Sequence, residues 1–396
     1  MPMPRLRSFA SLAPLVLFAC STEMGPQDDP WADDAFVAEA HEAVEQYVHV
    51  VIASYADTVA AAQAMDVAID AFILDPNDAT LAAARDAWKA ARDIYGQTEV
   101  YRFYGGPIDA EPGGLEGQIN SWPMDEAYID YVDGDPEAGI INDAASYPKI
   151  TRDLLIDLNT KAGEDSISTG WHAVEFLLWG QDLAADGPGA RPASDYIPGA
   201  KGTATNQERR ADYLTIVTDL LVEDLEAVAA AWAEGQPYHD TFEHGDAREA
   251  LTKVLLGMGS LSGAELSGER MAVAFDTHEQ EDEHSCFSDN THKDFIANAR
   301  GIENVYLGRW GDSEGPSLSR MVADLDPELD AKMREHLTAT NAAMAAIPAP
   351  FDQAIAAADG SPGREAVAAA IAALKSETAT IVEVATLLDI SLNLEE

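Results

Sequence analysis

Two side chains three residues apart, His172 and Glu175, are the sharpest chemical feature of this 396-residue chain. They lie in Gly170-Trp171-His172-Ala173-Val174-Glu175-Phe176-Leu177-Leu178-Trp179-Gly180. Residues at that spacing share one face of a helix, and the remaining faces of this segment are almost wholly apolar, the mark of a buried helix. An ionised carboxylate buried alone is expensive, so Glu175 needs a cation, a hydrogen-bond donor or a proton. A divalent or trivalent metal meets that need. Imidazole and carboxylate from one helix face are the ligand types of carboxylate-bridged iron and manganese bundles, although there the Glu precedes the His. A hydrogen-bonded His-Glu pair in the core meets the need equally well.

A second concentration of ligand-capable groups spans Asp276, His278, Glu281, Glu283, His284, Cys286, Asp289 and His292. Oxygen and imidazole donors suit iron, manganese or zinc, and a coordinating Cys286 would soften that preference. This run could complete the His172 site, form a second site, or be a solvated acidic loop with Asp289 or Asn290 capping the next helix. Cys286 could equally be an inert buried thiol. Glu99 is a further candidate metal ligand, against which stands a simple ion pair with Arg102. Trp122, Asp125 and Glu126 are expected to organise a loop rather than to bind metal.

Hydrolytic chemistry finds little support. A zincin needs His-Glu-x-x-His and its inverted form His-x-x-Glu-His, but Phe176 stands where the last histidine would be. Distant residues could still complete a catalytic zinc, so a metal-dependent peptidase using His172 and Glu175 remains the alternative to metal binding without catalysis. No phosphate loop or Cys-x-x-Cys-His haem attachment is present. A structural surface protein without any ligand is the third possibility.

The elements that must hold these residues read as helices throughout: apolar residues recur at three- and four-residue intervals and alternating β-branched runs are scarce. A long helix is predicted from Asp33 to Ala71, buried through Phe36, Ala40, Val44, Tyr47, Val51, Tyr55 and Val59, and stopped by Asp75-Pro76-Asn77-Asp78. A second follows Asn77 as far as Gly105-Gly106-Pro107 and packs antiparallel to the first. Further helices are predicted at Thr151 to Ala162, Thr169 to Trp179, Asn206 to Glu234, Asp246 to Ala274, Thr291 to Leu307, Ser317 to Ala346 and Gly363 to Leu388. The predicted fold is all-α, with two packed bundles, 33–202 and 203–396, and a long irregular insertion, 107–148, in the first. Trp88, Arg92, Tyr95 and Glu99 find a loose echo in Phe295, Arg300, Glu303 and Tyr306, a hint of internal duplication.

Gly170-x-His172-x-x-Glu175 resembles the signature of the imelysin family. Trp88 to Phe103, Ile119 to Glu126 and Glu281 to His292 resemble its iron-regulated protein A branch, and the similarity runs from about Ala40 to the C-terminus. The resemblance implies a fold of two helical bundles with the His-Glu motif near their interface. It also implies a role in iron acquisition outside the cytoplasm, with iron as Fe2+ or Fe3+ favoured and zinc admitted.

The amino terminus sets the expected compartment. Arg5 and Arg7 precede an apolar stretch from Phe9 to Ala19, too short to span a membrane as a mature helix, and Leu17-Phe18-Ala19-Cys20 has the form of a lipoprotein cleavage site. Residues 1–19 are thus expected to be a signal peptide, Cys20 the lipidated first residue and 20–32 a tether. An ordinary cleaved signal is the competing reading. The expected location is the periplasm or cell surface, anchored to a bacterial membrane, with the outer membrane favoured. Lipidation of Cys20 would leave Cys286 without an intramolecular disulfide partner. The formal charge of −46 excludes nucleic acid as a natural partner and would concentrate cations near the surface, though a solvation adaptation explains it as well. Expected partners are a metal ion or metal chelate, the membrane through the anchor, and an unidentified transport or redox protein.

Overall fold

The computed structural model describes residues 29–184 and 186–394. The signal peptide, Cys20 and the tether up to residue 28 lie outside the described residues. Residues Pro30–Ala32, expected in the tether, form a 3-10 turn instead. Trp31 docks there: its indole N–H donates to the Leu388 carbonyl at 2.7 Å and its ring meets Phe36 edge-on.

The fold is all-α, and its one sheet among the described residues is the two-residue pairing of Arg309–Trp310 with Ser313–Glu314. The first helix, Asp34–Leu74, starts where the Asp33 side chain accepts from the Ala35 N–H. Its buried stripe continues past Tyr55 through Ala62, Met65, Ile69 and Phe72. Asn77 and Thr80 form a reciprocal capping box at the start of Asp78–Tyr95, satisfying amide groups that the first turn leaves without helical partners. That helix stops ten residues before Gly105 and tightens into a 3-10 turn, Gly96–Tyr101. A close neighbour accompanies the change: a Cβ on Gly96 would lie 2.8 Å from Ala297 on the Thr291–Leu307 helix, and one on Gly301 would lie 2.5 Å from the Gln97 carbonyl. Small residues on both sides let these segments pack backbone to backbone.

Two other predicted helices are interrupted. Ser317 to Ala346 divides into Leu318–Leu325 and Pro327–Ala346, because Pro327 disfavours the helical conformation at Asp326, which then caps the second piece. Asp246 to Ala274 runs as an α-helix over Ala247–Ser260, widens into a π-helix over Leu261–Ala272 and closes with Val273–Thr277. A π segment of twelve residues is unusual, and such widening is frequent at functional sites.

The irregular stretch after Pro107 holds only the one-turn helices Glu116–Ile119, Glu126–Ile129 and Gly139–Asn142. Asp130 fastens it to the core. Its carboxylate, fully buried, accepts from Arg191 at 2.6 Å and from Arg210 at 2.6 and 2.8 Å. One large apolar cluster extends from Phe36 through Trp88, Trp171, Trp179 and Trp232 to Leu337 and Val384. A smaller one, around Phe295, Phe351, Val367 and Leu374, lies in the second half. No described helix is long and apolar enough to cross a membrane.

Candidate metal centre

Every residue of the Gly170–Trp179 helix is buried. Gly170 is required at its start: its φ is +87°, and a Cβ there would lie 2.5 Å from the Ile119 carbonyl oxygen. Thr169 donates from its hydroxyl to the Gln118 carbonyl at 2.9 Å, and the Trp88 indole donates to the Trp171 carbonyl at 3.1 Å. The helix is therefore clamped at its N-terminal turn between the second helix and the 116–120 segment.

From this clamped turn His172 Nδ1 reaches Glu175 Oε2 at 3.1 Å. The other carboxylate oxygen, Oε1, accepts from the Ser288 amide at 2.9 Å and hydroxyl at 2.6 Å. Burial pushes Glu175 up to about 8 against the opposing pull of the Ser288 hydrogen bonds. Burial, reinforced by the Arg92 charge, holds His172 well below its usual range and hence neutral. Nε2 of His172 is buried without any hydrogen-bond partner.

The His172 ring is flanked by Trp122, with centroids 4.9 Å apart, and by His284, also at 4.9 Å and edge-on. His284 repeats the carboxylate-histidine arrangement: Nδ1 lies 3.0 Å from Asp294 Oδ2, which also accepts from the Ser285 hydroxyl at 2.6 Å. Burial lowers His284 to about 4, so it too is a neutral imidazole. Burial alone would raise Asp294, but the Arg92 guanidinium outweighs it and brings this carboxyl down to about 2. Arg92 is itself fully buried, donating to Asn120 at 2.5 Å and to Asp294 at 3.4 Å.

Glu99 lies in the next layer. Its two oxygens accept from Arg270 at 2.6 and 3.0 Å, from Asn120 at 2.6 Å and from Asn298 at 2.6 Å, and Arg102 stands 3.5 Å away. The sequence spacing pointed to the Arg102 pair, whereas Arg270 on the π-helix is the principal partner. A cleft of about 390 Å³ opens beside this layer, lined among others by Asn120, Trp122, Arg102, Arg270, Glu265 and His284.

The acidic run divides. His284 joins His172, and Ser288, which sequence reasoning passed over, joins Glu175. His278 is exposed against Arg364 at 3.2 Å, and Asp276 and Glu281 are exposed. Cys286 is buried, and burial raises its thiol well above the usual range. Glu283 is buried, burial raises Asp289 to about 7, and His292 is half-buried with Nδ1 unpartnered. Asp125 caps the Glu126–Ile129 turn, in keeping with a loop-organising role. Asn120, Arg92, Arg270, Asp294 and Asn298 also escaped sequence reasoning. A buried Arg in an amphipathic helix, as at Arg92, was the signal available. The suggested echo of Arg92 in Arg300 does not extend to environment, since Arg300 is exposed.

Among the described residues no three His, Cys, Asp or Glu side chains converge closely enough to hold a metal ion by themselves. What the pocket offers is narrower and fits a metal in part: one partnerless imidazole nitrogen, a second neutral imidazole beside it, and a carboxylate behind each. Carboxylates behind imidazoles are the usual supports that orient histidine ligands. Glu175 in this geometry orients His172.

Comparison with known proteins places the chain. The family model for imelysin matches residues 51–381. Iron-regulated protein A of Synechococcus elongatus is 28% identical over 316 residues, covering 78% of this chain and 75% of that one. An iron-regulated protein A precursor from Parabacteroides distasonis superposes with a TM-score of 0.68 at 21% identity, over 89% of this chain and 95% of that one. An imelysin-like protein from Psychrobacter arcticum gives 0.64 at 15% identity, over 90% and 98%. With a helical architecture shared over nearly the whole length and the family's pattern matched across most of it, the chain belongs to the imelysin family.

Proposed function

We propose that this chain is an exported, lipid-anchored imelysin that binds iron at His172 as part of iron acquisition. The observation that carries this reading is the buried, partnerless Nε2 of His172. When the His172–Glu175 pair gives up one proton, Nδ1–H donates to the ionised Glu175 and Nε2 presents a lone pair. His284 is the second protein donor, its orientation held by Asp294. The remaining coordination comes from water or a small chelator in the adjoining cleft. Iron is preferred over zinc because the Synechococcus relative carries an iron-regulated name; the donors themselves admit either. The peptidase reading is weaker, because a carboxyl at about 8 is largely protonated at neutral pH and makes a poor general base.

Metal analysis of purified protein tests this. About one iron per chain is expected in the wild type, little in His172→Ala, and about 10–100-fold weaker binding in Glu175→Gln, which loses an orienting carboxylate. Affinity falls as pH is lowered from 8 to 6, since the Glu175 carboxyl is then reprotonated. Equal occupancy in all three proteins removes His172 from the site. For the anchor, Cys20→Ser is expected to move the protein from the membrane fraction to the soluble one; retention in the membrane refutes lipidation at Cys20.

A further inference from the structure

The cleft beside the Glu99 layer stops short of His172. The His172 side chain is fully buried, whereas Trp122 and His284, whose rings each stand 4.9 Å from its ring, line the cleft. One indole and one imidazole therefore screen His172 from the space beyond. His284 is tied in place, with Nδ1 3.0 Å from Asp294 Oδ2 and 3.1 Å from Arg92 Nη2. Trp122 is half-buried and is held by packing: its ring meets His172 on one side and Phe287, edge-on at 6.1 Å, on another.

The segment that carries Trp122 is a short strap anchored at both ends. The Asn120 amide donates to the Glu116 carbonyl and the Asp125 amide to the Asp165 carbonyl, each at 2.8 Å. Between them, from Ser121 to Met124, no backbone group is hydrogen-bonded among the described residues, and the Trp122 indole makes no hydrogen bond either. Backbone so sparsely bonded opens locally at low cost.

The charges around the cleft suit a cation. Arg102 is paired with Glu116 at 2.9 Å, and Arg270 with Glu99 and Glu265, each at 2.6 Å. Glu269 and Asp282, which also line the cleft, have no ion pair among the described residues. The charge left uncompensated there is negative, and it raises the local concentration of cations.

We propose that Trp122 is the gate of the His172 pocket: its side chain swings into the cleft on the 121–124 strap, and a hydrated cation then passes to the partnerless Nε2. That the cation is iron rests on the function proposed above. The gate itself concerns access to the imidazole and is read without any metal.

The test is carbethoxylation of the metal-free full chain with diethylpyrocarbonate near neutral pH, followed for each histidine by mass spectrometry. Exposed His49 gives the rate of an open imidazole, and His239, buried on Pro237–His244, reports general unfolding. His172 of the wild type is expected to react far more slowly than His49. With an open state populated at about 10% or less, Trp122→Ala is expected to speed His172 labelling by about tenfold or more. Trp122→Phe, which keeps a ring in place, is expected to stay near the wild type, and His239 to be unchanged in all three. Labelling of wild-type His172 as fast as His49, or no acceleration in Trp122→Ala, overturns the gate. So does an acceleration shared by His239, which would mark loosening of the whole fold. Anaerobic stopped-flow mixing with ferrous sulfate tests the passage of the ion: entry, and release to a chelator, are both expected to quicken in Trp122→Ala. A wild type that takes up no ferrous ion refutes the iron reading and the passage with it, while the labelling decides the gate by itself.

Discussion

Glu99→Gln is expected to destabilise the protein by about 3 kcal/mol, the cost of breaking a buried ion pair from one side, while leaving the proposed iron binding at His172 in place. Glu99 is 1% exposed and its oxygens take hydrogen bonds from Arg270, Asn120 and Asn298. Burial would raise its pKa, but the Arg270 charge overrides it and holds the carboxyl well below the usual range. Glutamine keeps the shape and turns one acceptor into a donor facing donors. The carboxylate that Arg270 then retains is Glu265, whose side chain is 22% exposed and a weaker counter-charge, beside the neutral Asn298. Urea unfolding of the two proteins gives the loss directly, and metal analysis of the same samples separates a supporting role from a ligand role. A variant as stable as the wild type but devoid of iron reverses the assignment.

The all-α fold and half of the candidate site could be read from the residues themselves. The Gly170–Trp179 helix was legible because three-residue spacing and an apolar surround are local properties, and so was the need of Glu175 for a partner. Which partner it finds was not legible. Ser288 is 113 residues away, and the Arg270–Glu99 bond spans 171. The acidic run illustrates a different limit. Glu283 has extended backbone, and consecutive side chains on extended backbone point to opposite faces. One residue of the pair, Glu283, is therefore turned away from His172, and the other, His284, meets it. A density of ligand-capable residues along the chain thus became two separate environments. The π-helix was invisible for a related reason: its apolar residues satisfy a 3.6-residue period well enough, and the widening is a matter of how the turns pack.

The pH dependence of stability of the metal-free protein follows from which way each buried group is shifted. Glu175, at about 8, and Glu377, at about 7, are raised chiefly by burial; Glu126 and Asp289 follow them to about 7. A carboxyl raised in the folded state binds its proton more tightly there than when unfolded. Its contribution is most favourable below the unfolded value and is lost as pH rises to the folded one. Asp130 and Asp294, at about 2, act in the opposite sense: burial would raise them, arginine charges outweigh it, and their contribution is lost as pH falls below about 4. The neutral imidazoles of His172 and His284, lowered by burial, oppose the raised carboxyls below about 6.5, where the unfolded chain takes up protons that the folded one refuses. Between pH 6.5 and 8 the raised carboxyls dominate. Urea unfolding in chelator-treated buffer is therefore expected to show a broad maximum on the acid side of neutrality and a steep fall towards pH 8. Glu377 isolates the effect, because it lies away from His172, accepts only a 3.3 Å hydrogen bond from Ser262 at Oε1, and leaves Oε2 without a partner. Glu377→Gln carries no titrating proton. It is expected to match the wild type near pH 5 and to exceed it by roughly 2 kcal/mol at pH 8, the linkage value of a shift of this size after a discount for relaxation. A wild type whose stability rises from pH 6.5 to 8, or a variant less stable than the wild type at pH 8, contradicts the account of buried, protonated carboxyls on which this rests.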